Sequence, residues 1–404
     1  MPMWVRPEGQ TVLLPVRIRP FLSHKRANAT AVGQLRTELQ LRGAGGWKDT
    51  EDLRLGADTP KAIIQAIDHQ TGGFIWYGTR KALESETINK LEVPQALKRA
   101  NKDLGYTVTP VFVDVSPHED RSLIQAAMGR RCAEQLVRRN GIQRTPRERL
   151  KLLMRRVARR YVQDAIVGLD SDPTTAILTA FRPSWGVHDL TVDWRSIFHE
   201  DARTFHEGGL ELVIQALADI RQSLQRRSSS PAVRVELYLP LPIALLVGYE
   251  WRFTTGLRLQ VVQPKGDKTV LVKAGDQSSW APRPPSRKTW ERRGPSVVAV
   301  GVGEPLDDAA SKYAEQVRAS VLDIYHVPGL VGAKELLGLT TALARHLRQL
   351  NDSGIKKHLL MRGPHGLALL LGAALNGTGT TIAPFWNGAQ YVNPLAVGAP
   401  KRAG

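Results

Sequence analysis

The chain has 404 residues, of which 42% are hydrophobic and 23% charged, so it is long enough for two or three globular domains. Its single cysteine excludes a disulfide framework and predicts a cytoplasmic protein. The longest apolar run contains two prolines and is too short to span a bilayer, so no membrane partner is expected. The formal charge of +18 favours a polyanionic partner such as nucleic acid or a nucleotide, or a neighbouring copy of the chain.

Positive charge is concentrated in residues 144–160, where eight Lys or Arg residues accompany one acid, Glu148. Leu150, Leu152, Leu153 and Val157 are interleaved with them, which predicts an amphipathic basic helix. Two interpretations remain open: a solvated helix face, or a contact between domains or subunits. Because residues 144–160 contain no aromatic residue and the next one is Tyr161, the segment lacks the stacking side chains typical of a nucleic-acid reader.

Short apolar strands alternate with helices in the first 120 residues. The strands are expected near residues 19–25, 73–77 and 107–115, with a further short strand ending at residues 47–49, and the helices at residues 31–41 and 62–67. This alternation predicts a parallel sheet with helices on both faces. Ligands of such sheets bind beyond the carboxyl ends of the strands, in the loops that leave them.

Glu92 follows the loop at residues 78–86, which leaves the strand at residues 73–77, and it precedes Pro94 by two residues. Proline is tolerated in the first turn of a helix, so the helix is expected to begin near Val93 with Glu92 at its amino end. The helix dipole there favours the ionised carboxylate. Such an acid is either a surface cap or a carboxylate that stabilises a developing cation.

Six motifs in this region occur in an order similar to that of TIR domains. They are FLSH at 21–24, WKD at 47–49, DLRLG at 52–56, FIWY at 74–77, a Ser85–Glu92–Ala96 helix motif and PVFVD at 110–114. The resemblance covers about residues 15–120 and implies a flavodoxin-like parallel sheet. Enzymatic members cleave NAD+ between nicotinamide and ribose, using the glutamate that corresponds to Glu92.

The resemblance also implies the surroundings of that glutamate. The residues expected to contact NAD+ are Phe21, Ser23, His24, Lys25, Trp47, Asp49 and Ser85. For His24 a plain loop residue is an equal alternative, whereas the core is the favoured alternative for Trp47 and a turn-forming role for Asp49. In the family, the loop after the second strand completes the site of a neighbouring subunit; here it is expected to contain Asp52, Leu53, Arg54, Leu55 and Gly56.

Residues 121–185 are expected to be helical and basic, and the Pro/Gly/Trp-rich residues 182–186 to mark a domain boundary. Beyond it, residues 232–248 and 357–372 have the same order of strand, Pro/Gly loop and apolar helix ending in Gly. Each is followed by a further strand. This near-repeat predicts two fused α/β halves, at about 186–293 and 294–404, after a first domain of residues 1–175.

This C-terminal part resembles the SAVED domain, which fuses two CARF-like halves and binds cyclic oligonucleotides. The matching residues include Asp189 and Trp194, the LPLPIAL segment at 239–245, the GPHGLALLLG segment at 363–372 and PFWNG at 384–388. Backbone N–H groups of glycine loops can bind phosphates, and tryptophans can stack on adenine. The expected ligand-binding residues are Pro240, Pro242, Trp280, Gly301, Gly303, Gly363, Pro364, His365, Gly366, Trp386 and Tyr391.

Together the two resemblances imply a TIR–SAVED effector of bacterial antiphage signalling. A cyclic oligoadenylate, expected to be cyclic triadenylate, would drive head-to-tail assembly into filaments. Assembly would activate hydrolysis of NAD+ to nicotinamide and ADP-ribose, without a metal or cofactor. The alternative is a non-enzymatic TIR scaffold that assembles and recruits partners. A duplex nucleic-acid binder ranks last, because no readout motif accompanies the charge.

Overall fold

A computed structural model describes residues 18–47, 58–139, 141–181, 188–199, 201–228, 230–265, 268–329 and 331–398. The described residues form two compact units. The first contains most of the residues up to Leu169, and the second contains most of those from Asp170 onward. Within these ranges, no helix is both long and apolar enough to cross a membrane.

The first unit is built on a parallel sheet. Its strands are β1 (Pro20–Ser23), β2 (Gly73–Gly78), β3 (Thr107–Phe112) and β4 (Ile142–Gln143), hydrogen-bonded in that order. Trp47 forms a parallel bridge with Phe21 on the open side of β1. If the Trp47 bridge is counted as the second strand along the chain, the spatial order of the strands is 2-1-3-4-5, as in flavodoxin-like sheets. The predicted parallel sheet is confirmed.

Helices cover both faces of this sheet. They are α1 (Ala29–Leu41), α2 (Thr59–Gln65), α3 (Arg80–Leu83), α4 (Val93–Ala100), α5 (Arg121–Met128), α6 (Arg130–Val137) and α7 (Leu150–Val167). The predicted basic helix is α7, which begins at Leu150 rather than Arg144. Its apolar face is buried through residues such as Val157 and Tyr161, whereas Leu152 is half-exposed.

The helix that carries Glu92 differs from the sequence prediction. Residues 86–100 are helical without interruption, so Glu92 lies inside the helix rather than at its amino end. Residues Ile88–Glu92 form a π-helical turn, in which the N–H of Val93 donates to the carbonyl of Ile88 five residues earlier. This wider turn accommodates Pro94, which lacks an N–H and would clash with a regular α-helical turn.

The second unit contains two sheets with the same topology. The strands of the first sheet are β5 (Thr174–Thr179), β6 (Leu190–Asp193), β9 (Ala232–Tyr238), β10 (Arg258–Lys265) and β11 (Lys268–Lys273). Those of the second are β12 (Ser286–Thr289), β13 (Ser296–Val302), β14 (Val321–Val327), β15 (Lys357–Arg362), β16 (Thr381–Trp386) and β17 (Tyr391–Val397). A small hairpin pairs β7 (Phe198–His199) with β8 (Thr204–Phe205).

The spatial order is β6-β5-β9-β10-β11 in the first sheet and β14-β13-β15-β16-β17 in the second, where β12 adds an edge. In both, the first four strands are parallel and the fifth is antiparallel. The predicted duplication into two α/β halves is therefore confirmed. The helices are α8 (Gly209–Arg227), α9 (Leu241–Glu250), α10 (Asp307–Gln316), α11 (Ala333–Asp352) and α12 (His365–Ala374).

The corresponding helices α9 and α12 pack directly on each other. A Cβ atom added to Gly248 would lie 2.0 Å from the carbonyl oxygen of Leu369, and one added to Gly372 would lie 2.1 Å from that of Leu245. Each glycine thus lets the partner backbone approach closely, and the two halves meet through the helices that repeat. Nearly every side chain of both helices is buried, which accounts for their all-round apolar sequences.

Strand β5 corrects the expectation that residues 121–185 are helical. The sequence TTAILT at 174–179 is rich in β-branched residues and forms an inner strand of the first half, between β6 and β9. It lies before residue 186, where the sequence analysis starts this domain. The domain limits predicted from the sequence remain predictions, and residues 182–187, which include the whole predicted boundary, lie outside the described ranges.

Candidate functional site

A buried hydrogen bond joins the first strand of the TIR-like sheet to the helix that follows the next strand. The hydroxyl of Ser23, the last residue of β1, donates to Oε2 of Glu92 over 2.6 Å. Both residues are buried, with relative exposures of 1% and 6%. Strands β1 and β2 flank the topological switch point, so this pair lies where sheets of this order bind ligands.

The loops at the carboxyl edge of this sheet are tied to each other. Asn28, after β1, donates its side-chain amide to the Thr79 hydroxyl, after β2, over 2.9 Å. The Thr79 hydroxyl also accepts from the N–H of Ala82 and so caps α3. The next loop is held in the same way, because the N–H of Arg80 donates to Asp114 over 2.8 Å. Hydrogen bonds made by side chains therefore connect neighbouring loops and fix the walls of the crevice.

The other residues expected to contact NAD+ divide into two groups. Phe21 and Trp47 are buried and stack on each other with ring centroids 4.6 Å apart, and Phe74 stacks on Phe21. The structure thus places Trp47 in the core, one of the two interpretations left open by the sequence. Neither Phe21 nor Trp47 presents an exposed ring face to a ligand here.

His24 and Lys25 are half-buried in the crevice loop, and Nδ1 of His24 lies 2.9 Å from the carbonyl oxygen of Leu22. Ser85 is half-buried just before the helical segment of Glu92. Asp49 and the predicted assembly residues lie outside the described residues; the latter are Asp52, Leu53, Arg54, Leu55 and Gly56.

A second candidate site lies at the switch point of the C-terminal sheet, between β13 and β15. Gly301 is near the end of β13, and Gly363 directly follows β15. Gly363 has a φ of +154°, and a Cβ atom there would lie 2.9 Å from Cβ of Val302. The two loops therefore touch through a residue without a side chain. Pro364, His365 and Gly366 begin α12 directly after this contact.

Arg362 and Trp386 place a positive charge and an aromatic ring at the same edge of the sheet. Its guanidinium lies 5.0 Å from the ring centroid of Trp386 and 3.1 Å from Oε2 of Glu304. Trp386 packs at 5.1 Å against Tyr391, whose buried hydroxyl donates to the carbonyl of Met361 over 3.4 Å. Burial raises the pKa of Tyr391 beyond its usual range, so this hydroxyl stays neutral and acts as a donor.

The structure does not bring all predicted cyclic-nucleotide residues to one edge. Pro240 lies in the equivalent turn of the first half, between β9 and α9, and Pro242 lies in the first turn of α9. Trp280 packs against α11, where a Cβ atom added to Gly338 would lie 2.1 Å from its carbonyl oxygen. Gly301, Gly303, the 363–366 turn, Trp386 and Tyr391 belong to the second half.

Three residues that the sequence analysis missed contribute to these sites. Asn28 and Thr79 fix the crevice walls near Glu92, and Arg362 supplies the cation beside Trp386. Arg362 could have been found from the sequence, because it is a cationic residue at the end of a predicted strand and directly precedes the Gly-Pro turn. In the described part of the chain, no cluster of three or more His, Cys, Asp or Glu residues could hold a metal ion.

Comparisons with known proteins bear on both units. Residues 21–139 match the family model for the TIR domain. No curated protein matches the chain significantly. Solved structures that match this chain include the Acinetobacter baumannii Cap4 SAVED/CARF-domain containing receptor with the cyclic trinucleotide 2'3'3'-cAAA, at 15% identity and a TM-score of 0.46, covering 83% of each chain.

The same receptor with 3'3'3'-cAAA gives 14% identity and a TM-score of 0.47, again covering 83% of each chain. The Moraxella osloensis Cap4 receptor gives 13% identity and a TM-score of 0.44, covering 92% of this chain and 99% of that one. Similarity at this level assigns neither a ligand nor an activity. The family match and the parallel sheet with its switch-point carboxylate agree, and the N-terminal part of the chain, residues 21–139, is a TIR domain.

Proposed function

We propose that this chain is a ligand-activated NAD+ glycohydrolase, whose C-terminal unit binds a cyclic oligonucleotide and whose TIR domain cleaves NAD+. The observation that carries the proposal is the Ser23–Glu92 pair, a buried carboxylate at the switch point of a TIR sheet. A buried, hydrogen-bonded acid beside a ligand crevice is typical of a functional site. The resemblance of the helix motif to enzymatic TIR domains supports the same role for Glu92.

The chemistry needs only one carboxylate. When the bond between C1′ of the ribose and the pyridinium nitrogen breaks, its electron pair neutralises the nicotinamide, which leaves without protonation. The ribose then carries an oxocarbenium-like positive charge. The Glu92 carboxylate would stabilise this cation, and the Ser23 hydroxyl would hold the carboxylate in place. Water adds to C1′ and loses its proton to solvent, giving ADP-ribose.

The C-terminal unit supports the ligand half of the proposal through its own geometry. Its second sheet combines a tight glycine contact, a helix amino end, Arg362 and the Trp386 ring at one switch point. Backbone N–H groups and a guanidinium suit phosphates, and an aromatic face suits adenine. The first half repeats the topology, so a ring-shaped ligand with repeated nucleotides matches a duplicated fold. Cyclic triadenylate is the ligand we expect.

Activation would occur by assembly. Head-to-tail contacts between copies generate open filaments. The loop 52–58 of one subunit would then close over the Glu92 crevice of the next. The high positive charge of the chain would also favour gathering copies around an anionic ligand. Such a device would keep NAD+ intact until the ligand appears, as an antiviral effector requires.

The test is to incubate the full chain with NAD+ and each of a panel of cyclic di-, tri- and tetranucleotides, and to measure nicotinamide release and light scattering together. We expect one ligand to trigger both signals. If a ligand raises light scattering while NAD+ stays intact, the chain is a TIR scaffold that recruits partners, and the proposed activity is wrong.

A further inference from the structure

The TIR domain contains a further cavity beside α4, lined by residues other than Ser23 and Glu92. It is a cleft of about 630 Å³ between α4 and the turn that joins α5 to α6. Gly129 makes this turn possible, because its φ of +80° is a conformation that other residues rarely adopt. The size falls within the range of pockets that bind small molecules.

The floor of this cleft is apolar and its rim is basic. Pro94, Leu97, Met128 and Cys132 supply the apolar surface, and Leu97 and Met128 are themselves buried. The rim carries four exposed cationic side chains, two from α4 and the turn after it and two from the start of α6: Lys98, Lys102, Arg130 and Arg131.

The rim charges are largely uncompensated. In the described residues, Arg130 forms an ion pair with Glu134 at 3.0 Å, whereas no ion pair is found for Lys98, Lys102 or Arg131. The side-chain amides of Asn101 and Gln135 also line the cleft. An apolar floor, two amides and a basic rim match a ligand with a flat apolar base, hydrogen-bonding edges and a phosphate.

We infer that this cleft binds a mononucleotide, and that it is an effector site of the TIR domain separate from the Glu92 crevice. Its apolar wall includes Pro94 and Leu97, which belong to the same continuous helical segment as Glu92. A nucleotide bound there would contact the helical segment that positions the carboxylate. The binding itself does not depend on whether the protein cleaves NAD+.

The single cysteine gives a direct test. Cys132 lines the cleft, and burial raises the pKa of its thiol to about 11, so its alkylation by N-ethylmaleimide is slow but measurable. The probe is AMP added to the full chain, with adenosine and inorganic phosphate added separately. We expect AMP to slow alkylation of Cys132 at least about tenfold, and neither fragment to do so at the same concentration.

Two double variants sharpen the result. Lys98→Glu with Arg131→Glu cancels the net positive charge of the four rim side chains and should abolish protection by AMP. Arg149→Glu with Lys151→Glu makes the same change on exposed residues at the start of α7, away from the cleft, and should leave protection intact. Glu92→Gln should also leave it intact, because the crevice is not involved. Absence of protection in the unmodified protein, or equal protection in the rim variant, would overturn the inference; equal protection by phosphate would overturn the nucleotide assignment.

Discussion

The Ser23 hydroxyl lies 2.6 Å from Oε2 of Glu92, although the two residues are 69 positions apart in the chain. The contact fixes the carboxylate against the end of β1, and the π-helical turn at Ile88–Glu92 sets the point from which the side chain projects. Hydrogen bonds to a charged group contribute about 1.5–3 kcal/mol. The orientation of Glu92 therefore depends on a residue that would not itself touch the reacting bond.

Replacing Ser23 by Ala should lower the rate of ligand-activated NAD+ cleavage about tenfold or more, because the carboxylate loses a charge-assisted partner. The effect should fall mainly on kcat, since Ser23 positions Glu92. Steady-state kinetics of nicotinamide release would measure it. Ser23→Thr keeps a hydroxyl and should retain most activity; if Ser23→Thr is as impaired as Ser23→Ala, the hydrogen bond is not the reason.

Replacing Arg362 by Glu should weaken binding of cyclic triadenylate at least about tenfold, because it removes the cation beside Trp386 and adds a negative charge near the phosphates. Calorimetric titration of the full chain would measure this. Arg226→Glu, at an exposed position at the end of α8, is the matched control and should bind normally. Equal losses in both variants would show that only overall charge matters.

Replacing Gly248 by Ala should destabilise the second unit by about 1–3 kcal/mol or more, because the new Cβ atom would lie 2.0 Å from the carbonyl of Leu369. The matched control is Gly33→Ala in α1, where no atom lies within 4 Å of the added Cβ. That change should stabilise the protein by about 0.5–1 kcal/mol. Urea midpoints of the two variants should therefore shift in opposite directions.

His358 should make stability sensitive to mild acid. Burial, aided by the charge of Lys356, lowers the pKa of this histidine to about 4. Its Nδ1 lies 2.9 Å from the Tyr313 hydroxyl, and its Nε2 has no hydrogen-bond partner in the described structure. The native protein holds the neutral ring, whereas the unfolded chain takes up a proton below about pH 6.5.

Stability from this residue is therefore present above pH 6.5 and is lost as the pH falls toward 4, by at most about 1.4 kcal/mol per pH unit. Urea unfolding at pH 5 and pH 7.5 would measure the loss. His358→Gln cannot take up this proton and should show a smaller difference between the two pH values. An unchanged difference would mean that other groups cause the acid sensitivity.

Much of the fold could be predicted from local patterns. Continuous apolar strands alternating with helices specify a parallel sheet, and the loops at its carboxyl ends specify a crevice, so the sequence alone predicts that Glu92 lies near this crevice. The repeat of strand, turn and glycine-ended helix predicted the duplication that the two sheets show. These features follow from sequence periods that need no long-range information.

The features that the sequence could not settle depend on tertiary contacts. Pro94 indicates a helix start, but in the structure the helix continues through it because a π-helical turn precedes it. No periodicity of the sequence predicts that turn. Trp47 is a core residue because Phe21 stacks on it from a strand 26 residues earlier. The Asn28–Thr79 bond likewise joins two loops that only the folded sheet brings together.

Nicotinamide release by Glu92→Gln and by the unmodified protein, each with and without cyclic triadenylate, tests the central claim most directly. Ligand binding and light scattering are recorded in the same samples. We predict release only from the unmodified protein with ligand, whereas Glu92→Gln binds the ligand and assembles without releasing nicotinamide. Release from Glu92→Gln at an undiminished rate would contradict the assignment of Glu92 as the catalytic carboxylate.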